Sequence, residues 1–291
     1  MVAAGEGRFG KVYTAVNNLS GELIAMKEVQ IRLQPNDHRS IKEALDEIKI
    51  FEGIKHPNLV RYYGVEVHKE ELLIFMELCN EGSLESAAQA NLPETLIRKY
   101  TCQLLEAVHT LHEHGIVHRD IKSANVFLTS EGQVKLGDFG CCIRLKSQST
   151  IPGELCEFVG TPAYMAPEVF TRNRSGGHGR AADIWGVGCV VLEMASGQRP
   201  WHELESSYQI MFRVGMGEAP TAPHSLSEEG QDFLDHCFEI DPSARWTSGH
   251  LLDHPFTKVS QRLWDLNRAN NLVTNKLLET GVVVVPLVFK V

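Results

Sequence analysis

The chain has 291 residues, 43% of them hydrophobic and 22% charged, an ordinary balance for a globular domain and enough length for one large or two-lobed unit with its own core. A formal net charge of −9 argues against a general grip on phosphate backbones, so nucleic acid is not an expected partner. Seven cysteines without a CxxC pair argue against a disulfide framework or structural zinc site and favour a reducing, cytoplasmic setting.

The opening MVAAGEG has no basic stretch leading into an apolar one, so no secretory signal is expected. The longest apolar run, Val282 to Phe289, is broken by Pro286 and falls short of the roughly 20 residues that span a bilayer, so no membrane anchor is expected. Gly5-Glu6-Gly7-Arg8-Phe9-Gly10 carries the GxGxxG spacing, in which glycines let backbone N–H groups approach phosphates. A dinucleotide fold would use the same spacing, but would run straight into a helix. Here Lys11 to Val16 and Leu23 to Val29 read as two strands joined by Asn17-Asn18-Leu19-Ser20-Gly21, and no GxxxxGK[ST] follows.

Ala25-Met26-Lys27 places a lysine inside the second strand. Ser40-Ile41-Lys42-Glu43 is a capping box, and Ile41, Ala44, Leu45, Ile48 and Phe51 recur at helical spacing. Glu47 and Glu52 both border that apolar stripe, where a carboxylate needs a cation, and Lys27 is the natural one. After the turn at His56-Pro57-Asn58, Val60 to Val67 and Leu72 to Glu77 read as strands. Pro93 opens a long buried helix that ends at Gly115. Its histidines, His109, His112 and His114, lack a matching acid or cysteine cluster and read as plain surface or core residues.

Residues 118 to 140, HRDIKSANVFLTSEGQVKLGDFG, form the densest chemical stretch: a loop feeding a hairpin that ends in a second acid. Asn125 and Asp138 supply the sparse oxygen set that magnesium takes when substrate phosphates complete its shell. Asp120, at the other end of the loop from Asn125, is placed to accept a proton from an attacking hydroxyl, and Lys122 to steady the developing phosphate charge.

In order and spacing, His118-Arg119-Asp120, Lys122, Asn125 and Asp138-Phe139-Gly140 resemble the catalytic loop and metal-binding turn of eukaryotic protein kinases. The resemblance covers about residues 3 to 258. It implies an α+β, two-lobed fold: a small antiparallel lobe with one main helix, about 1–78, and a larger mainly helical lobe, about 82–258. Most of the family's first strand is expected to be missing, because the chain opens at the glycine loop. The family pattern implies ATP and Mg2+ as cofactors. Gly5 to Gly10 then cover the phosphates, and Lys27 braced by Glu47 grips them. Val12, Ala25 and Phe127 enclose the adenine, Met76 guards the inner pocket, and Glu77 to Ser83, Cys79 included, form the hinge.

The run from Asp138 to Glu168 closes with Gly160-Thr161-Pro162-Ala163-Tyr164-Met165-Ala166-Pro167-Glu168, and together with Lys122 it resembles kinases of the serine/threonine type. In the family pattern Glu168 pairs with Arg245, and Asp183 ties to the catalytic-loop backbone. Gln231 to Phe238 and Gly249 to His254 read as further helices. His56-Pro57-Asn58-Leu59-Val60-Arg61-Tyr62-Tyr63-Gly64, GHGRAADIW from Gly177 and Arg199-Pro200-Trp201-His202-Glu203 narrow the resemblance to mitogen-activated protein kinase kinase kinases of the MEKK type, nearest its fourth subtype. A MAP kinase kinase is the implied protein substrate. Arg119 beside Asp120 implies activation by a negative group, added by another kinase or by self-phosphorylation in trans. Ser149 and Thr150 are the loop hydroxyls for it, or Glu157 supplies the charge. Cys141 and Cys142, directly after the DFG turn, read as oxidation-sensitive or, as the plainer alternative, ordinary buried thiols. The competing reading is a pseudokinase scaffold, which the truncated strand favours and the presence of Lys27, Asp120, Asn125 and Asp138 opposes. Residues 259–291 match no recognised pattern.

Overall fold

The computed structural model describes residues 2–7, 10–30, 53–68, 71–139, 143–144, 160–171 and 179–258. Strands β1 (Val2–Gly7), β2 (Gly10–Val16), β3 (Leu23–Gln30), β4 (Tyr62–His68) and β5 (Glu71–Glu77) form one antiparallel sheet in the order β1-β2-β3-β5-β4. Where the sequence leads one to expect a first strand mostly missing, Val2–Gly7 pairs along β2, from Val2 opposite Thr14 to Gly7 opposite Gly10. β3 is central, so Ile24, Ala25, Met26 and Lys27 are all buried in succession instead of alternating with solvent. The β2–β3 turn is held by Asn17, whose side-chain oxygen accepts from Leu19 N at 3.0 Å, and by Gly21 at φ 73°.

The large lobe runs through α1 (Leu84–Ala88), α2 (Glu94–Glu113), β6 (Ile116–Val117), a 3₁₀ turn at Ser123–Asn125, β7 (Val126–Leu128) and β8 (Val134–Leu136). There follow β9 (Ile143–Arg144), a 3₁₀ turn at Pro162–Tyr164, α3 (Pro167–Thr171), α4 (Arg180–Ser196), α5 (Ser207–Gly215), α6 (Glu228–Cys237) and α7 (Ser248–Leu252). α2 begins where Pro93 takes extended backbone, and it buries Ile97, Tyr100, Leu104, Ala107, Val108 and Leu111 on one stripe. α4 is different. Every residue from Ala182 to Met194 is buried, so it is the core rod of the lobe and not a surface helix. At Gly186 a Cβ would lie 3.0 Å from Ile121 Cβ and 3.0 Å from its carbonyl oxygen, so this glycine lets the loop after β6 rest on α4.

Arg245 links distant parts of the lobe from a fully buried position. It donates to Glu168 Oε1 at 2.7 Å and Oε2 at 3.1 Å, and to the carbonyls of Glu239 and Ala181, each at 2.8 Å. A buried guanidinium is tolerated because its donors are met this fully. Among the described residues no helix is long and apolar enough to cross a membrane.

Candidate active site

The loop after β6 hangs on one buried acid of α4. Asp183 Oδ1 accepts from Arg119 N at 2.8 Å, while Oδ2 accepts from His118 N at 2.9 Å and lies 2.8 Å from His112 Nε2. Burial pushes this carboxyl up, but the hydrogen bond and charge of His112, with His118 and its N–H, hold it below the ordinary aspartate range. This corrects the expectation for His112, which has an acid partner after all: Asp183 lies far along the sequence and only the fold brings it close. His109 bonds Ser248 and His114 bonds the Thr110 carbonyl, as unspecialised helix residues do. Fixing two successive N–H groups holds Arg119 at φ 67°, a left-handed conformation that costs a non-glycine residue about 1–3 kcal/mol.

Asp120 is the next residue, 5% exposed, and both of its oxygens are occupied. Oδ2 accepts from Lys122 Nζ at 2.8 Å and Asn125 Nδ2 at 3.1 Å, and Oδ1 accepts from Thr161 Oγ1 at 3.0 Å. Lys122 Nζ also donates to Thr161 Oγ1 at 2.9 Å, and Asn125 Nδ2 to the Asp120 carbonyl at 2.9 Å. Asn125 thus spends its amide nitrogen on Asp120. Thr161 escaped the sequence reading as a site residue. Its signal is the threonine that follows Gly160 in GTPAYMAPE, but nothing in that run says that it touches Asp120.

The β7–β8 hairpin delivers the second acid. Gly137 N donates to the Asn125 carbonyl at 2.9 Å, and Gly137 O lies 3.0 Å from His118 Nε2, so hairpin and loop are stitched together. A Cβ on Gly137 would stand 2.8 Å from Val60 Cγ2 and 3.0 Å from Phe127 Cε2, which leaves room for glycine alone. Asp138 follows at φ 56°, and its Oδ1 meets Lys27 Nζ at 2.6 Å. That contact joins the sheet to the large lobe.

Register places Val12 opposite Lys27 and Ala25 opposite Met76, so all four lie on one face of the sheet. Because Lys27 reaches Asp138, this face looks toward the hairpin that carries Phe127. Gly5 and Gly10 fall in the β1–β2 ladder with Glu6 and Gly7. At the end of β5, the Glu77 carboxylate accepts from Arg61 N at 3.1 Å and pairs with Lys135 Nζ at 3.1 Å, binding the hinge to β8. Cys79 beside it is half-buried, and burial with the nearby Glu77 charge pushes its thiol up to about 11, so it stays protonated. Arg8, Phe9, Glu47 and the helix expected around it, Cys141, Cys142, Ser149, Thr150, Glu157 and residues 259–291 lie outside the described residues.

Two acids, two cations and an asparagine are thus gathered by the loop after β6, the β7–β8 hairpin and the sheet face that meets them through Lys27 and Asp138. The protein kinase domain family matches residues 2–257. The chain belongs to the protein kinase family. Its kinase domain is 62% identical over 256 residues to "Mitogen-activated protein kinase kinase kinase 4" of Homo sapiens, a match covering 88% of this chain and 16% of that protein. It is 39% identical over 261 residues to "MAP kinase kinase kinase wis4" of Schizosaccharomyces pombe, covering 86% and 19%. With "Mitogen-activated protein kinase kinase kinase 2" of Arabidopsis thaliana it shares 38% over 265 residues, covering 89% and 40%. The kinase domain therefore spans less than half the length of these relatives.

Proposed function

We propose that the chain transfers the terminal phosphate of ATP to serine or threonine hydroxyls of a protein, and that this protein is a MAP kinase kinase in a cytoplasmic signalling cascade. The names and identities of its relatives support the branch. The single observation that carries the chemistry is the Asp120 carboxylate, held at both oxygens by Lys122, Asn125 and Thr161.

The donor set fits magnesium and ATP. Asn125 and Asp138 offer the hard oxygens that Mg2+ takes. Lys27, bonded to Asp138, adds the cation that faces phosphate. Ala25 is buried and small, and with Val12, Met76 and Phe127 it offers apolar surface for a flat ring. When bound, Mg·ATP supplies the phosphoryl group and neutralises charge on it. In this reading Asp120 orients the acceptor hydroxyl and takes its proton, and Lys122 carries the charge that develops beside it. The backbone of Gly5 to Gly10, including Glu6, Arg8 and Phe9, covers the phosphates, Glu47 braces Lys27, and Glu77 and Cys79 hold adenine through their backbone.

The test is phosphorylation of a purified MAP kinase kinase by this chain with Mg·ATP, read by mass spectrometry, with Asp120→Asn as the blank. Phosphoserine or phosphothreonine from the wild type and about 10²- to 10⁴-fold less from the variant is the expected result. An undiminished Asp120→Asn enzyme sinks the base, and a wild-type chain that binds no nucleotide sinks the reading.

A further inference from the structure

A half-open cavity of about 450 Å³ lies where the start of α2, the end of α4 and the loop before α6 meet. Protein interiors are close-packed, so an opening of this size stands out, and it falls within the roughly 300–1,000 Å³ of sites that take a ligand. No residue of the catalytic loop lines it. Its apolar wall is Leu92, Ile97, Ala195, Pro223 and Leu226, and Ile97 and Leu226 belong to the buried core. Glu94, the carboxylate in the lining, is already paired with Arg98 at 2.7 Å and accepts from Ser227 N and Oγ at 2.8 Å and 2.7 Å. The wall therefore suits an uncharged, apolar occupant.

The chain carries such an occupant. Its last described residues leave the lobe beside the cavity: the Pro255 carbonyl accepts from Arg98 Nη1 at 3.5 Å, and the Arg98 guanidinium lies over the Phe256 ring at 4.7 Å. A Cβ on Gly230 would meet Phe256 Cε2 at 3.0 Å and Leu226 Cβ at 3.2 Å, which sets Phe256 next to the cavity wall. Residues 259–291 follow, beyond the match to the kinase family, which ends at 257. They hold the longest apolar run of the sequence, Val282 to Phe289, without a charge in it. Val282 comes 24 residues after Lys258, and a flexible segment of that length spans about 25–30 Å root-mean-square, enough to return to an opening next to its own point of exit. Each valine or leucine taken out of water is worth about 1.5–3 kcal/mol. The tether also keeps the run at a roughly millimolar effective concentration, so a contact too weak for a free peptide suffices.

We propose that Val282 to Phe289 seats in this cavity as an internal ligand and braces α2 against α4. Hydrogen exchange on the full chain tests it. Val283→Asp/Val285→Asp puts charge into the run without altering the described lobe, and should speed exchange at the His224, Ser225 and Leu226 amides about tenfold or more. Ala195→Phe fills the cavity from its wall and should release the amides of residues 282–289 to the same degree. Should that variant melt too early to be measured, Ser225→Trp blocks the cavity from an exposed position and takes its place. A photo-reactive benzoylphenylalanine introduced at Val284 should cross-link within one chain to residues lining the cavity. Equal exchange in the wild type and Val283→Asp/Val285→Asp overturns the proposal. So do cross-links that map elsewhere on the lobe, or that join two chains and so give the cavity to the tail of a second copy.

Discussion

Asp183→Asn tests how the catalytic loop is held. The substitution keeps the shape of the side chain and turns one oxygen into a donor. Wherever the amide nitrogen settles, at least one of the three buried donors, His118 N, Arg119 N or His112 Nε2, loses its acceptor and faces another donor. An unmet buried donor costs about 1–3 kcal/mol and the lost charge assistance adds to it, so a total of about 3 kcal/mol is expected. At about 2–4 °C per kcal/mol for a domain of this size, Tm should fall by roughly 6–12 °C. The same change frees the backbone next to Asp120, so kcat should drop more than about tenfold while KM for ATP holds. The pH dependence has a definite sign. The folded carboxyl lies below its ordinary 3.8, so its contribution is complete above that value and drains as pH falls through the folded pKa. The Tm gap between wild type and variant should therefore be flat from about pH 6 to 8 and shrink only in acid below about pH 4. Calorimetry across pH with steady-state kinetics reads both effects. An Asn variant with wild-type Tm and kcat would refute the claim that this acid suspends the loop.

Three further substitutions separate scaffold from chemistry. Glu168→Ala strands the fully buried Arg245 guanidinium; breaking such a pair costs about 3–5 kcal/mol, so thermal melting should fall by more than about 6 °C. Thr161→Val removes the hydroxyl shared by Asp120 and Lys122 with little change of shape; kcat should fall about tenfold at unchanged Tm, with Thr161→Ser restoring it, and an unaffected kcat would deny Thr161 a positioning role. Glu193, whose Oε2 accepts from Tyr164 OH at 2.6 Å, is pushed up by burial against the pull of its bonds to Ser123 and Tyr164. A raised carboxyl means stability lost as pH rises from the ordinary 4.5 through the folded pKa, so Glu193→Gln should gain Tm over the wild type as pH climbs above that ordinary value, and a gap that narrows instead would contradict this.

The sequence exposes the parts of the fold and site whose signal is local. The GxGxxG run, the two strands and turn that follow it, the stripe of α2 and the acids of HRD and DFG each lie within a short window, where spacing carries meaning. Glu168 with Arg245, and Asp183 with the loop backbone, followed from the resemblance and recur in the geometry at hydrogen-bond distance. His112 and Thr161 were opaque because their partners are 71 and 41 residues away, and no periodicity encodes a contact that only tertiary packing makes. α5 is opaque for a second reason: Ile210 and Val214 give it an ordinary core stripe, and only exposure in the folded chain shows that Tyr208 and Phe212 face outward. The three residues that end up around Asp120 come from a loop, a 3₁₀ turn and the far end of a long segment, yet the loop itself is anchored through α4, a helix with no polar face to spare. Stability and catalysis are therefore coupled at Asp183 and separable at Thr161, because the first supports backbone and the second touches only side chains.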